Sequence, residues 1–198
     1  MSRTLPRSFY TRDARELAPL LLNKLLVSRE PTGELLSARI VEVEAYRGAE
    51  DAASHAYRGM TKRNATMFGP AGHLYVYFTY GMHWCANVVA REHVEGSAVL
   101  LRGAAPVRGI ELMRSRRVKA RRDRDLLSGP ARLCQAFAIT GVADGTDLTI
   151  ARGALRIVDD DVAPPPEPRI TTRIGISPGR ADDYEWRFCV PGDPNVSR

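Results

Sequence analysis

The stretch LLSARIVEVEAY, residues 35–46, alternates between two sets of side chains along its length. A period of two marks an extended strand whose successive side chains point to opposite faces. Ala38, Ile40, Glu42, Glu44 and Tyr46 fall on one face, and Arg39, Val41, Val43 and Ala45 on the other. One face therefore carries two carboxylates and ends at a ring. Carboxylates at i and i+2 repel if both are buried. Either one is held neutral, or one meets an arginine, or the face is solvated.

A second constraint comes from LYVYFTYGMHWCANVV, residues 74–89. It reads as a strand over 74–78, a tight turn at TYGM and a strand over 83–90, which together make a β-hairpin. Shorter strands are expected at 97–102, 148–150 and 155–158, within RITTRIGIS and at WRFCV. Helices are expected over 13–24, where Asp13 and Glu16 have capping-box spacing, over the charged run 107–125, and from Pro130 to a stop at Gly141. The polar segment 47–72 has no period and is long for a passive loop, and loops of that kind often carry function. APPPEP reads as a rigid bend rather than a domain linker, and there is no internal repeat. With 198 residues and 44% apolar side chains, the chain suits one core-bearing domain over 1–198. Several connections are too short for crossover helices, so the expected class is mixed α/β (α+β) with a mainly antiparallel sheet.

Lys and Arg outnumber Asp and Glu by 29 to 23, and Lys24, Lys62 and Lys119 are the only lysines. An arginine excess fits a polyanionic partner and bidentate phosphate contacts, and it equally fits a codon bias. Cys85, Cys134 and Cys189 are widely spaced and sit in apolar contexts, which argues against a disulfide framework or a thiolate zinc site. His55, His73, His83 and His93 have no HExxH or HxH spacing. MSRTLPRSFY lacks an apolar leader, and no apolar run approaches membrane length, so the expected location is cytoplasmic, with no membrane partner.

Among single residues, Glu44 is the leading candidate for chemistry, with a solvated sheet face as the alternative. Tyr75 and Tyr77 share a face and can stack on a base or simply fill space. Tyr80 at the hairpin tip is a turn aromatic or a wedge between base pairs. Asn87 offers an amide to a base edge. Arg102 closes the apolar SAVLLR and needs a carboxylate, phosphate or water if buried. The run from Arg114 to Arg124 is broken by Asp123 and reads as a solvated face or a phosphate contact. Ser128 and Arg132, beside Pro130, are further candidates for phosphate.

The blocks RIVEVEAYRGAEDAASHA, MFGPAGHLYVYFTYGMHWCANVV, AVLLRGAAPVRG, LLSGPARLCQAFAIT and RITTRIGIS, in this order, resemble the alkyladenine (3-methyladenine) DNA glycosylase family. They cover most of the chain from about Arg39 onward. The resemblance implies a single domain with a curved antiparallel sheet, flanking helices and a protruding hairpin that enters the minor groove of double-stranded DNA. It implies a monomeric base-excision repair enzyme that flips alkylated or deaminated purines and cuts the N-glycosidic bond. It further implies that no metal or cofactor is used and that no lyase step follows. By position in the motifs, Glu44 matches the glutamate that activates water, and Arg102 the arginine that helps hold it. Tyr46, His55 and Tyr77 match the base pocket, and Asn87 the amide that crowds a guanine 2-amino group. Tyr80, with Met82 beside it, matches the intercalating tip. A catalytically silent damaged-DNA-binding module, a metal-dependent hydrolase using Glu44, His55 and a further histidine, and a structural partner-binding domain are the competing readings. A bacterial protein of this kind would be nucleoid-associated, and a eukaryotic one nuclear.

Overall fold

The computed structural model describes residues 2–90 and 96–197; His93 lies outside the described residues. In it the chain forms a mixed α/β single domain around one open sheet. The strands, in chain order, are β1 (Arg3–Thr4), β2 (Leu25–Arg29), β3 (Leu35–Arg47), β4 (Leu74–Thr79), β5 (His83–Ala90), β6 (Ser97–Arg108), β7 (Leu155–Asp159), β8 (Arg169–Thr171) and β9 (Arg187–Cys189). The helices are α1 (Arg7–Tyr10), α2 (Ala14–Leu21), α3 (Ile110–Arg116) and α4 (Pro130–Ala136). The sheet runs β1-β7-β2-β3-β6-β5-β4, with β9 on β3 and β8 on β9. Every pairing between these strands is antiparallel. Its end strands, β1 and β4, do not pair with each other, so the sheet stays unclosed.

The strand read first is the centre of the sheet. β3 pairs with β6 along most of its length, with β2 through its first half and with β9 through Glu42, Val43 and Glu44. Register shifts against β6 fall between Ile40 and Glu42 and between Glu42 and Val43. An extra residue in one strand reverses which positions face inward. Leu36, Ala38 and Ile40 lie in the main apolar core, and beyond the bulge so do Val43 and Ala45. The expected grouping of Ala38 and Ile40 with Glu42, Glu44 and Tyr46 is therefore corrected. The bulge frees the two glutamates from the core face that the earlier even-numbered positions occupy.

α2 packs on β3 with Ala14, Leu17, Ala18 and Leu21 fully buried, and α4 packs on β5 and β6. Three helix expectations ran too long. α2 begins where expected, with the Asp13 side chain accepting from the Arg15 N–H, but ends at Leu21. Asn23 turns the chain at φ 65°, and Leu25–Leu26 become strand. The apolar run 20–27 thus serves two elements in succession. In the charged run, β6 extends to Arg108, and Gly109 at φ 74° starts a short helix that stops at Arg116. A Cβ at Gly109 would sit 2.2 Å from Leu36 Cδ2, so the reversal there needs glycine on both counts. α4 ends at Ala136 and not at Gly141, because Ala138 takes φ 51°. Residues 148–150 form no strand; 148 and 149 lie in a turn, although Leu148 is buried.

Candidate active site

The bulge in β3 directs Glu42 and Glu44 toward a cluster of polar groups, and both are fully buried. Glu42 is held on every side. Its Oε1 accepts from Arg102 Nε (3.0 Å), Arg187 Nε (2.7 Å) and Ser197 Oγ (2.8 Å), and its Oε2 from the Ser197 N–H (2.7 Å). Gly103, opposite Glu42 in the ladder, leaves the space: a Cβ there would lie 3.0 Å from Glu42 Oε2. Glu44 is held more loosely. Its Oε1 accepts from the Ile174 N–H at 2.8 Å and lies 3.4 Å from Arg102 Nη1, and its Oε2 accepts from the Tyr46 hydroxyl at 2.9 Å. Arg102 therefore bridges the two carboxylates, which is how the strand accommodates both.

Burial pushes the Glu44 carboxyl above the usual carboxylate range, against the charge of Arg102 and the hydrogen bonds from Ile174 and Tyr46; Glu42 adds a smaller push upward. A raised proton affinity makes the ionised Glu44 carboxylate a stronger base than an ordinary one.

Tyr46, Arg102 and Ile174, the groups that hold Glu44, line a cavity of about 250 Å³. Tyr46, His55, Tyr77, Tyr80, Asn87 and Arg102 all line it. Its walls are aromatic. Tyr77 stacks on Tyr75 with ring centroids 5.6 Å apart and an interplanar angle of 26°, and meets the His55 ring edge-on at 4.4 Å. His55 Nδ1 and the Tyr75 hydroxyl are 3.0 Å apart. Partial dehydration and the charge of Arg63 lower the His55 pKa, which keeps the imidazole neutral at physiological pH. Asn87, on β5 opposite Tyr75 and Leu100, is buried and donates from Nδ2 to the Tyr75 carbonyl at 3.2 Å.

Tyr46 is backed from below. The Arg173 guanidinium lies 4.7 Å from the Tyr46 ring centroid and 5.1 Å from that of Trp186, and pairs with both oxygens of the fully buried Asp51 (2.6 and 2.8 Å). Such a stack fixes the plane of Tyr46 without occupying its cavity side.

At the cavity mouth, β4 and β5 are joined by Tyr80, Gly81 and Met82. The Met82 N–H donates to the Thr79 carbonyl, and Tyr80 and Gly81 both have positive φ, 51° and 65°. Tyr80 is 83% exposed and Met82 67%. Tyr80 reaches the cavity, whereas Met82 lines a separate groove with Trp84 and α4.

The structure thus brings Arg102, Tyr46, His55, Tyr77, Asn87 and Tyr80 around one cavity, with Glu44 bound behind Tyr46 and Arg102, and leaves Met82 in a separate groove. Sequence reasoning missed the Ile174 N–H and the Asp51–Arg173 pair. A backbone donor leaves no mark on residue type, so only RITTRIGIS as a block pointed there. Asp51 and Arg173 are far apart in sequence, and nothing local links them. Among the described residues no group of three or more His, Cys, Asp and Glu side chains is placed to hold a metal ion, and no helix is long and apolar enough to cross a membrane.

A family model described as methylpurine-DNA glycosylase (MPG) matches residues 8–194. A Burkholderia cenocepacia (strain HI2424) protein, provisionally named 3-methyladenine DNA glycosylase, is 53% identical over 98% of this chain and 90% of its own. Proteins with the same provisional name from Carboxydothermus hydrogenoformans and Streptomyces avermitilis are 47% and 45% identical, over 98% of this chain in each case and 98% and 90% of their own lengths.

Proposed function

Because the chain belongs to the methylpurine-DNA glycosylase family, which gives it a DNA glycosylase role in DNA repair, we propose a mechanism in which it extrudes a damaged purine from duplex DNA and hydrolyses its bond to the sugar. A base inside the stack cannot be attacked, so it must leave the duplex at a cost of a few kcal/mol. Tyr80, with Met82 beside it, enters from the minor groove and fills the gap. The extruded purine lies between Tyr46 and the Tyr77–His55 wall. Asn87 rejects guanine by crowding its 2-amino group.

Ionised Glu44 takes a proton from a water molecule as the water oxygen bonds to C1′ and the bond from C1′ to the purine nitrogen breaks. The electron pair of that bond leaves with the base. An alkylated purine already carries positive charge and departs neutral, while hypoxanthine must gain a proton at the ring. The negative charge of Glu44 favours the cationic sugar of the transition state, and Arg102 helps hold the water. The product is an abasic site in an intact strand. Among the described residues no lysine lines the cavity, which supports a monofunctional enzyme with no Schiff-base step. The protein works as a monomer.

One observation carries this reading: Glu44 is bound to Tyr46, Arg102 and the Ile174 N–H, three groups that line an aromatic cavity whose mouth holds an exposed tyrosine. The test is release of free base from duplexes carrying hypoxanthine or ethenoadenine, and from methylated genomic DNA, with chelator present. Wild type should release base and Glu44→Gln should bind lesion DNA without releasing any. Binding without release by wild type on every substrate would make the protein a damage-binding module instead.

A further inference from the structure

At its β7-β2-β3 end the sheet carries an apolar face that lies outside the main core. Leu26, Leu36 and Ile157 point into that core, so their alternate neighbours Leu25, Val27, Leu35 and Val158 point to the other face. These four form the floor of a cavity of about 260 Å³ that Arg108 and Arg156 also line. The ladder sets the two arginines at the ends of one row. Arg156 is opposite Val27, Val27 is opposite Ser37, and Ser37 is opposite Arg108. The row crosses β7, β2, β3 and β6, so the arginines are rooted three strand spacings apart, or about 14 Å.

Arg108 and Arg156 have no ion pair with a carboxylate among the described residues, and Arg156 donates to the Gly153 carbonyl at 3.0 Å. Carboxylates near the face are engaged elsewhere: Glu30 with Arg116, Asp159 with Lys24 and Asp160 with Arg39. Glu34 precedes Leu35 in the chain and does not line the cavity. Dehydration and the charge of Arg29 both push the Arg156 guanidinium below its usual range. Two uncompensated guanidinium groups that bracket an apolar strip suit a visitor that is acidic at both ends and apolar between. A duplex backbone would supply the charges but nothing for the floor.

We infer that this face docks an extended acidic segment of a protein partner, in which two carboxylates four residues apart bracket an apolar side chain. The spacing follows from the ladder. An extended chain rises about 3.3 Å per residue, so four residues cover about 13 Å, the length of the row. Positions i, i+2 and i+4 share one face, so the carboxylates meet Arg156 and Arg108 while the middle side chain meets Val27. Ser37 lies seven residues before Glu44 on β3, roughly 20 Å along the strand, so a docked segment leaves the base cavity open. The docking face does not depend on the glycosylase mechanism.

The experiment follows the fluorescence anisotropy of a labelled, end-blocked peptide, Glu-Ser-Leu-Ser-Glu, titrated with the full chain. Wild type should bind it saturably, and Arg108→Gln/Arg156→Gln should bind it about tenfold more weakly. A peptide with Gln in place of both glutamates should lose as much affinity, and one with Ser in place of Leu should also bind more weakly. Base release by the double variant should keep the wild-type rate.

No saturable binding by wild type at millimolar peptide would overturn the inference. So would equal binding by the double variant, or by the peptide without leucine, since charge alone would then explain the affinity. If the double variant loses affinity for an undamaged duplex by the same factor, the face belongs to DNA and the inference fails. A dimer of wild type in sedimentation that the double variant does not form would make a second copy the occupant instead. If the double variant melts early, Arg108→Glu, at an exposed position, decides the matter alone.

Discussion

The Tyr46 hydroxyl donates to Glu44 Oε2 at 2.9 Å, from two residues further along the same strand. The bond favours the ionised carboxylate, against a burial that favours the neutral acid. The balance sets where Glu44 becomes a base. If Glu44 is the base, activity rises as pH rises through its pKa, so the acid limb should stand above the ordinary carboxylate range. Tyr46→Phe should move that limb to still higher pH. Single-turnover base release measured against pH checks this, and an unmoved limb would refute the link.

Glu44 also leaves a signature in stability. Its proton affinity is higher folded than unfolded, so the native state binds more protons between the two pKa values. Its contribution is fully present below about pH 4.3, the unfolded value, and is lost as pH rises through the folded value. Glu44→Gln should therefore flatten the decline of stability with rising pH in urea unfolding. A wild-type slope in the variant would show that other groups set it.

The Asp51–Arg173 pair is buried on both sides. Asp51→Ala leaves the guanidinium without its partner and should cost about 3–5 kcal/mol in chemical denaturation. Arg173 also supports the Tyr46 ring, so base release should fall further than a stability loss alone predicts. A destabilised variant with full base release would separate the pair from the pocket.

Tyr80 holds φ 51°, a conformation that costs a side chain about 1–2 kcal/mol and that asparagine tolerates better. Tyr80→Asn should leave stability unchanged or raise it by up to about 1 kcal/mol, while base release falls at least tenfold for want of a wedge. A loss of stability together with retained activity would show that the ring supports the turn and not the DNA.

Asn87 is fixed by its bond to the Tyr75 carbonyl. If it crowds the 2-amino group, Asn87→Ala should raise release of 7-methylguanine relative to hypoxanthine, by about 10-fold or more for 1–3 kcal/mol of lost exclusion. An unchanged ratio would assign discrimination to another residue.

The sequence by itself determined the strands that matter. Alternation over 35–46 and the aromatic runs around TYGM survive as β3, β4 and β5, because period-two patterning is a local property that burial on one face enforces. Tyr46, His55, Tyr77, Tyr80, Asn87 and Arg102, singled out in the sequence, line one cavity. Of the helix ends that were missed, Asn23 is a residue type that tolerates positive φ, whereas Ala138 is not, so its turn left no mark in residue preference. Only the tertiary structure decided what each charge does. The bulge in β3 lifts Glu42 and Glu44 out of the core parity, and contacts from residues 102, 174, 187 and 197 then make one a structural anchor and leave the other with raised proton affinity. Two glutamates two residues apart are chemically alike in sequence. Their difference comes from desolvation and partners that arrive from distant parts of the chain, which no local pattern encodes.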